Sequence, residues 1–369
     1  MTKKIAILGS TGQVGSQALE VVKSYPQEFE VVGLACGHQS AKFNQQVKKF
    51  KPQIIAIAQK DGEKGVIKVA THPEVEMVVV AVVGLAGLAP TLAAIKAGKN
   101  IALATKEVLV IAGELVMKQV KKHQAQLIPL DSEHSALFQS LHSGKSKEIK
   151  QLILTMGKGP IAKMNKSQLE KVTIKDVFNR PAWSMGQKIA VDSASCINKT
   201  FEIIEAKWLF NVAPKQIKVV VHPEYLCHSL VEFVDGSIMT ELGSPDMRRY
   251  LQYALFYPNR KKTKVSSYVD LVGKKMTFAK PPFDKFPCLQ LGYQALKAGG
   301  TMPAVLHGAD KTAVDAFVNK KIKFTDIYRI ILATMKSHQV VKNPNLKQLI
   351  KAEQWGQDFA KKLIKKEKK

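Results

Sequence analysis

With 369 residues, 46% of them hydrophobic, the chain is too long for one ordinary core and too apolar to be disordered, so two or three globular domains are expected. Its 56 basic residues against 30 acidic ones leave a net charge of +26, which favours nucleic acid, anionic membrane or small anionic substrates as partners. The lysines are spread along the chain without a basic and aromatic platform or a DNA- or RNA-binding motif, so nucleic acid is not the expected partner, and no apolar run approaches the roughly 18 to 20 residues of a membrane span.

The first element is a short apolar strand, Lys4 to Leu8, entered almost directly from the first residues, which leaves no room for a leader segment. Cys36, Cys196, Cys227 and Cys288 are scattered and form no Cys-x-x-Cys pair, as expected of free thiols in a reducing, cytoplasmic setting. The strand runs into Gly9-Ser10-Thr11-Gly12-Gln13-Val14-Gly15 and then into a helical stretch. Strand, glycine turn and helix in that order predict a Rossmann-like dinucleotide-binding domain, the glycines letting backbone approach a pyrophosphate at the positive helix end. A tight structural turn is the competing reading. The second strand, Phe29 to Leu34, ends in Ala35-Cys36-Gly37-His38-Gln39-Ser40 with no carboxylate for a ribose 2′-hydroxyl. That absence points to NADP, with His38, Gln39 and Ser40 able to bind the 2′-phosphate, although none of these is the Arg or Lys that would suit it best.

Further strands are expected near 52–58, 75–83 and 101–104, with a helix from Leu88 to Ala97 stopped by Gly98. The last of these strands delivers Thr105-Lys106-Glu107 to a strand end, where open α/β sheets bind ligands, so Lys106 either meets a substrate anion or stands idle at the surface. The run "PLDSEHSALFQSL", 129–141, then closes an apolar strand with two carboxylates. In extended backbone Asp131 and Glu133 would point to one side and could share a divalent cation such as Mg²⁺ or Mn²⁺; alternatively the Asp-Ser-Glu run caps the following helix.

After a strand at 151–155 and the segment "MGKGP", a loop at 178–187 places Trp183 and Met185 where they could cover a site as a lid or simply anchor the loop. Residues 188–210, "KIAVDSASCINKTFEIIEAKWLF", offer Ser193, Asn198 and Lys199 before a helix whose first turn is expected to hold Glu202. The first three suit a phosphate and the fourth a metal, with helix capping as the rival role for Asn198. From 217 to 243 strand-like runs alternate with turns, Asp235-Gly236 being a hairpin signal. Residues 262–290 are rich in Lys and Pro and are expected to be a linker. Helical periodicity dominates from Leu291, where His307 is expected at the surface.

Five stretches, "ILGSTGQVGSQALEVV", "LDSEHSALFQSL", "PAWSMGQKIAVDSASCINKTFEIIEAKWLF", "LVEFVDGSIMTELGSPDMR" and "FPCLQLGYQALKAGGTMPAVL", together resemble the 1-deoxy-D-xylulose 5-phosphate reductoisomerase family, in order from about residue 4 to residue 330. The resemblance implies a skeletal rearrangement of that sugar phosphate followed by reduction with NADPH to 2-C-methyl-D-erythritol 4-phosphate, a step of non-mevalonate isoprenoid synthesis, in a homodimer. It implies an α/β dinucleotide-binding domain over 1–130, whose cofactor contacts include Gly9 to Val14, Gly37 to Gln39, Thr105 and Glu107. A catalytic and dimerisation domain over 131–261, the linker and a helical domain over 291–369 would follow. By the same likeness Asp131, Glu133 and Glu202 hold the metal, Lys106 and Glu133 serve catalysis, and Ser132, Trp183, Met185, Ser193, Asn198 and Lys199 meet substrate.

The chain departs from the family pattern on loops that would face substrate. Ala-Asn-Lys-Glu becomes Ala104-Thr105-Lys106-Glu107. In the phosphate loop a serine becomes Gly157, next to Lys158, and the lid His-Pro-Asn-Trp becomes Arg180-Pro181-Ala182-Trp183. Asn-Lys-Gly-Leu-Glu becomes Asn198-Lys199-Thr200-Phe201-Glu202, and Leu-Asn-Ala-Ala-Asn-Glu becomes Leu306-His307-Gly308-Ala309-Asp310-Lys311.

Overall fold

The structure, a computed structural model, describes residues 2–178 and 186–366. They fall into two compact units, each drawn from separated stretches: Met1–Val108, Glu114–Leu152 and Tyr225–Lys275 in the first, and Leu109–Gly113, Ile153–Glu224 and Met276–Lys369 in the second.

The first unit is built on β1 (Lys3–Leu8), β2 (Phe29–Cys36), β3 (Ile54–Ile57), β4 (Met77–Val80), β5 (Asn100–Leu103) and β6 (Leu127–Pro129), paired in parallel in the order β3-β2-β1-β4-β5-β6. Ile7 lies opposite Leu34 on one side and Val79 on the other. These strands are near-continuous runs of β-branched and aliphatic residues because helices cover both faces of such a sheet. Helix Gln13–Ser24 packs there with helix Met247–Phe256, far along the chain, through Tyr25 and Phe29 against Phe256 at ring distances of 4.9 and 4.8 Å. Chain order reverses between β1 and β4, and at such a switch point the carboxyl ends of the strands leave a crevice for a ligand. Gly9, Gly37, Lys106 and Asp131 all lie just beyond those ends.

The same unit holds the antiparallel hairpin of β9 (Cys227–Phe233) and β10 (Ile238–Leu242), beside β7 (Ile149–Met156), whose first residues lie alongside β9. Asp235-Gly236 makes the expected turn, with Gly236 at φ 87° and Asp235 accepting from the Ser237 amide at 2.9 Å. Ile238 and Met239 on β10 are exposed.

In the second unit the end of β7 meets β8 (Ile217–Val221), where the His222 amide donates to the Met156 carbonyl at 2.7 Å. The core is helical: Gln187–Ser195, Ile197–Phe210, Leu289–Ala298, Met302–Val318, Asp326–Ser337 and Leu346–Lys366 surround Phe201, Leu289, Leu306 and Ile331. Helices Met302–Val318 and Leu346–Lys366 approach backbone to backbone. A Cβ on Gly308 would sit 2.1 Å from the Glu353 carbonyl oxygen, and one on Gly356 would sit 2.7 Å from that of Val305. His307 is buried at this crossing, its Nδ1 3.1 Å from Glu353. The expectation of a surface histidine was wrong because its partner lies 46 residues away, beyond any local pattern. The stretch between Tyr257 and Leu289 forms no helix or named strand, yet Phe286 and Cys288 are buried and Ala279 bridges to Val221. No helix among the described residues is long and apolar enough to cross a membrane.

Candidate active site

At the cofactor end, two of the three glycines are required by backbone contact. A Cβ on Gly9, which sits at φ 83°, would fall 2.3 Å from the Ala81 carbonyl oxygen, and one on Gly15 would fall 2.2 Å from that of Gly9. This folds the turn onto the end of β4 and draws helix Gln13–Ser24 close behind it. That helix starts at Gly12 with no side-chain cap and no acidic residue in its first turn. An uncapped N-terminus framed by glycine backbone, at the switch point of a parallel sheet, suits a pyrophosphate. Ser10 is fully buried, Thr11 and Gly12 lie in the turn, and Gln13 and Val14 open the helix.

Beyond β2, His38 is exposed and 3.0 Å from Gln59, and Gln39 donates to Asn44. Ser40 caps helix Ala41–Phe50 by accepting from the Phe43 amide at 3.2 Å. Two side chains of that helix reach back to the glycine turn: Lys42 donates to the Thr11 carbonyl at 2.8 Å and Gln46 to that of Ser10 at 2.9 Å. Neither was expected from sequence, because both lie past the turn where a phosphate reader is usually sought. Thr105 is buried, and its hydroxyl donates to the Val82 carbonyl at 2.5 Å. Its side chain therefore ties the ends of β4 and β5 together. Glu107 opens helix Glu107–Lys122.

Also in the first unit, Asp131 follows β6 but does not continue the strand. It is the N-cap of helix Ser132–Ser140, accepting from the Glu133 amide at 3.3 Å, so Glu133 lies in the first helical turn. The extended i, i+2 geometry expected for the two carboxylates is thus replaced by capping, which leaves both at the helix N-terminus. Lys106 Nζ stands 2.7 Å from Asp131 Oδ2, and His134 Nδ1 stands 3.4 Å from Oδ1. Burial pushes the Asp131 carboxyl up, but the ammonium of Lys106 and then His134 outweigh it and hold the group well below the usual carboxylate range. Lys106 is hence neither idle nor freely solvated: its side chain is 17% exposed. Ser132 donates to Glu133 at 2.5 Å. His134, fully buried one turn from Asp131, was missed in the sequence reading, although its i+3 spacing was the available signal.

In the second unit, Glu202 lies in the second turn of helix Ile197–Phe210, not the first, since the helix begins after Cys196 in left-handed conformation at φ 67°. Glu202 is 1% exposed and accepts from Asn198 and Lys199, its neighbours one turn back. Asn198 is therefore no cap. Lys199 is also buried and donates in addition to the carbonyl of Thr155 at the end of β7. Ser193 lines a cavity of about 250 Å³ with Gly157, Lys158, Lys163 and Lys280. The helix carrying Ser193 is fixed by Lys188, whose ammonium lies 2.5 Å from Asp192 and 2.7 Å from Asp310 on helix Met302–Val318. Burial disfavours that charge, but the two carboxylates more than restore it and raise the Lys188 pKa. Trp183 and Met185, with the substituted Arg180, lie outside the described residues.

A glycine turn at the switch point of a parallel sheet, with a lysine and a carboxylate held ionised at other strand ends, is the arrangement of a dinucleotide-dependent oxidoreductase. Three family profiles match the chain: "1-deoxy-D-xylulose 5-phosphate reductoisomerase" over 5–63 and 59–113, its C-terminal domain over 127–210, and "DXP reductoisomerase C-terminal domain" over 242–359. A 1-deoxy-D-xylulose 5-phosphate reductoisomerase of Bacillus cereus is 42% identical, with 99% of each chain covered; one from Thermoanaerobacter pseudethanolicus is 44% identical over 94% of this chain and 96% of its own. A crystal structure of DOX-P reductoisomerase in complex with NADPH, fosmidomycin and magnesium matches with a TM-score of 0.92 at 36% identity, covering 100% of this chain and 99% of the other. Another, in complex with magnesium, gives 0.93 at 34% with full coverage of both. The chain belongs to the 1-deoxy-D-xylulose 5-phosphate reductoisomerase family.

Proposed function

We propose that the chain converts 1-deoxy-D-xylulose 5-phosphate, NADPH and a proton into 2-C-methyl-D-erythritol 4-phosphate and NADP⁺, supporting non-mevalonate isoprenoid synthesis in the cytoplasm. The observation that carries the reading is the joint retention of the glycine turn and of the Lys106, Asp131, Glu133 and Glu202 side chains in a chain matched end to end by such enzymes. Asp131, Glu133 and Glu202 are hard oxygen donors suited to Mg²⁺ or Mn²⁺, and the low pKa of Asp131 keeps it available to a cation at neutral pH. When bound, such an ion supplies Lewis acidity toward a ketone and its neighbouring hydroxyl. Lys106 Nζ donates to the substrate oxygens on which negative charge develops and moves the accompanying proton. Ser132 orients the sugar beside it.

Ser193, Asn198 and Lys199 bind the phosphate, with Lys158 replacing by charge what the hydroxyl lost at Gly157 supplied. Trp183 and Met185 cover the substrate and exclude water. The glycine turn from Gly9 to Val14 holds the pyrophosphate, and Gly37, His38 and Gln39 border the adenosine end. A 1–130 cofactor domain, a 131–261 catalytic domain and a C-terminal helical domain remain our division of labour along the chain. The exposed Ile238 and Met239 support a homodimer through the β10 face.

The test follows NADPH oxidation with 1-deoxy-D-xylulose 5-phosphate and Mg²⁺ or Mn²⁺; folded protein without turnover would refute the assignment. Gly157 and Lys158 on the cavity wall favour one variation, a related sugar phosphate as substrate, which a screen of phosphorylated ketoses separates from the first.

A further inference from the structure

We infer that Lys42, rather than His38 or Gln39, reads the 2′-phosphate of the dinucleotide and so sets its preference for NADPH over NADH. This rests on the dinucleotide reading of the glycine turn given above.

In a doubly wound sheet the adenosine ribose lies over the end of β2, where a carboxylate selects NAD and a cation selects NADP. Here the segment after β2 has no carboxylate, and its two polar side chains are committed to neighbours: His38 Nδ1 to Gln59 and Gln39 to Asn44. The next residue, Ser40, uses its hydroxyl as a helix cap. Along the chain, the next full positive charge is Lys42, early in the following helix. Lys42 is exposed, and its ammonium donates to the Thr11 carbonyl, so it spans from the helix after β2 to the turn after β1. That is the gap across which the adenosine half of a dinucleotide lies in this fold. Gln46, four residues along the same face, holds the helix to the turn through the Ser10 carbonyl and fixes the distance Lys42 has to cover. Helix Ala41–Phe50 contains three lysines and no acid, so no carboxylate on it competes with a phosphate for this ammonium. A neutral carbonyl is a weaker partner for an ammonium than a dianionic phosphate, and the exchange costs one ordinary hydrogen bond.

The experiment measures NADPH and NADH binding by the fluorescence of the reduced nicotinamide, on the full chain and on Lys42→Met, Lys42→Arg and His38→Ala. Lys42→Met keeps the aliphatic stem and is expected to weaken NADPH about 10- to 100-fold while leaving NADH within about twofold. Lys42→Arg is expected to retain NADPH, since a guanidinium also pairs with phosphate. An equal loss of both dinucleotides in Lys42→Met would overturn the inference, because it would make Lys42 a support of the glycine turn and nothing more. It would also be overturned if Lys42→Met bound NADPH normally while His38→Ala did not. Failure of the unaltered chain to bind either dinucleotide would refute the dinucleotide reading itself, and the inference with it.

Discussion

The carboxylates at Asp131 and Glu202 are both largely removed from water and both partnered by a lysine, yet they are held in opposite ways. Asp131 stands at the end of a helix, fixed by a backbone amide of its own helix and by Lys106 delivered from the end of a different strand. Glu202 stands inside a helix, and the side-chain partners recorded for it, Asn198 and Lys199, lie on the preceding turn of that helix. A helix end offers amide donors and partial positive charge to an anion, and at Asp131 these stand beside Lys106 and His134, which hold the carboxyl low. A helix middle offers neither, and Asn198 and Lys199 supply donors to Glu202 from side chains instead. The lesson is that two carboxylates proposed for one ion differ in what their removal strands.

The largest effect expected is on turnover. Glu202→Gln and Asp131→Asn should each lower the rate of NADPH oxidation by at least about a thousandfold, since each removes a charged ligand from the proposed cation, while NADPH still binds. A near-normal rate in either variant would remove that residue from the metal set. Next comes stability, where the two should part. Glu202→Gln leaves the Lys199 ammonium buried with a neutral partner and should cost about 3 kcal/mol, whereas Asp131→Asn keeps a capping oxygen and should cost about 1 kcal/mol in urea unfolding. Equal costs would mean that the helix end gives Asp131 no advantage.

A smaller effect separates them by pH. The folded Asp131 carboxyl titrates below its unfolded value, so its contribution is complete above about pH 5 and disappears as pH falls through the lowered folded value. Asp131→Asn should therefore lose less stability than the unaltered chain between about pH 5 and about pH 3. An identical acid slope would show that Lys106 and His134 do not hold the group down. Smallest, and at the phosphate end, Lys158→Ala should raise KM about tenfold with kcat nearly unchanged, as expected for a charge that binds a remote handle; a change in kcat alone would contradict that role.

The strand, glycine turn and helix at the N-terminus were legible because the signal is local and the residues at Gly9 and Gly15 admit no side chain. The parallel sheet followed from apolar runs spaced by helices, and the 235–236 hairpin from its turn residues. Legibility ended where partners are distant. Nothing near Thr105 announces that its hydroxyl is taken by Val82, nothing near His307 announces Glu353, and helix Met247–Phe256 gives no local sign of packing on Tyr25 and Phe29. The carboxylate pair at 131 and 133 was found, but with the wrong backbone. An apolar strand followed by Asp-Ser-Glu fits both an extended end and a cap, and the amide donors of the new helix settle the matter for capping.

The helix crossing at Gly308 and Gly356 has a mechanical consequence. With each glycine seated against the other helix's carbonyl, the contact works as an index mark: displacement along the axis by one turn, about 5.4 Å, would bring a residue with a side chain where only hydrogen now fits. Helices Met302–Val318 and Leu346–Lys366 can separate as bodies or stay engaged, but they cannot ratchet. Asp310, on the first of them, is therefore a fixed point from which Lys188 is held, and through it the helix that carries Ser193.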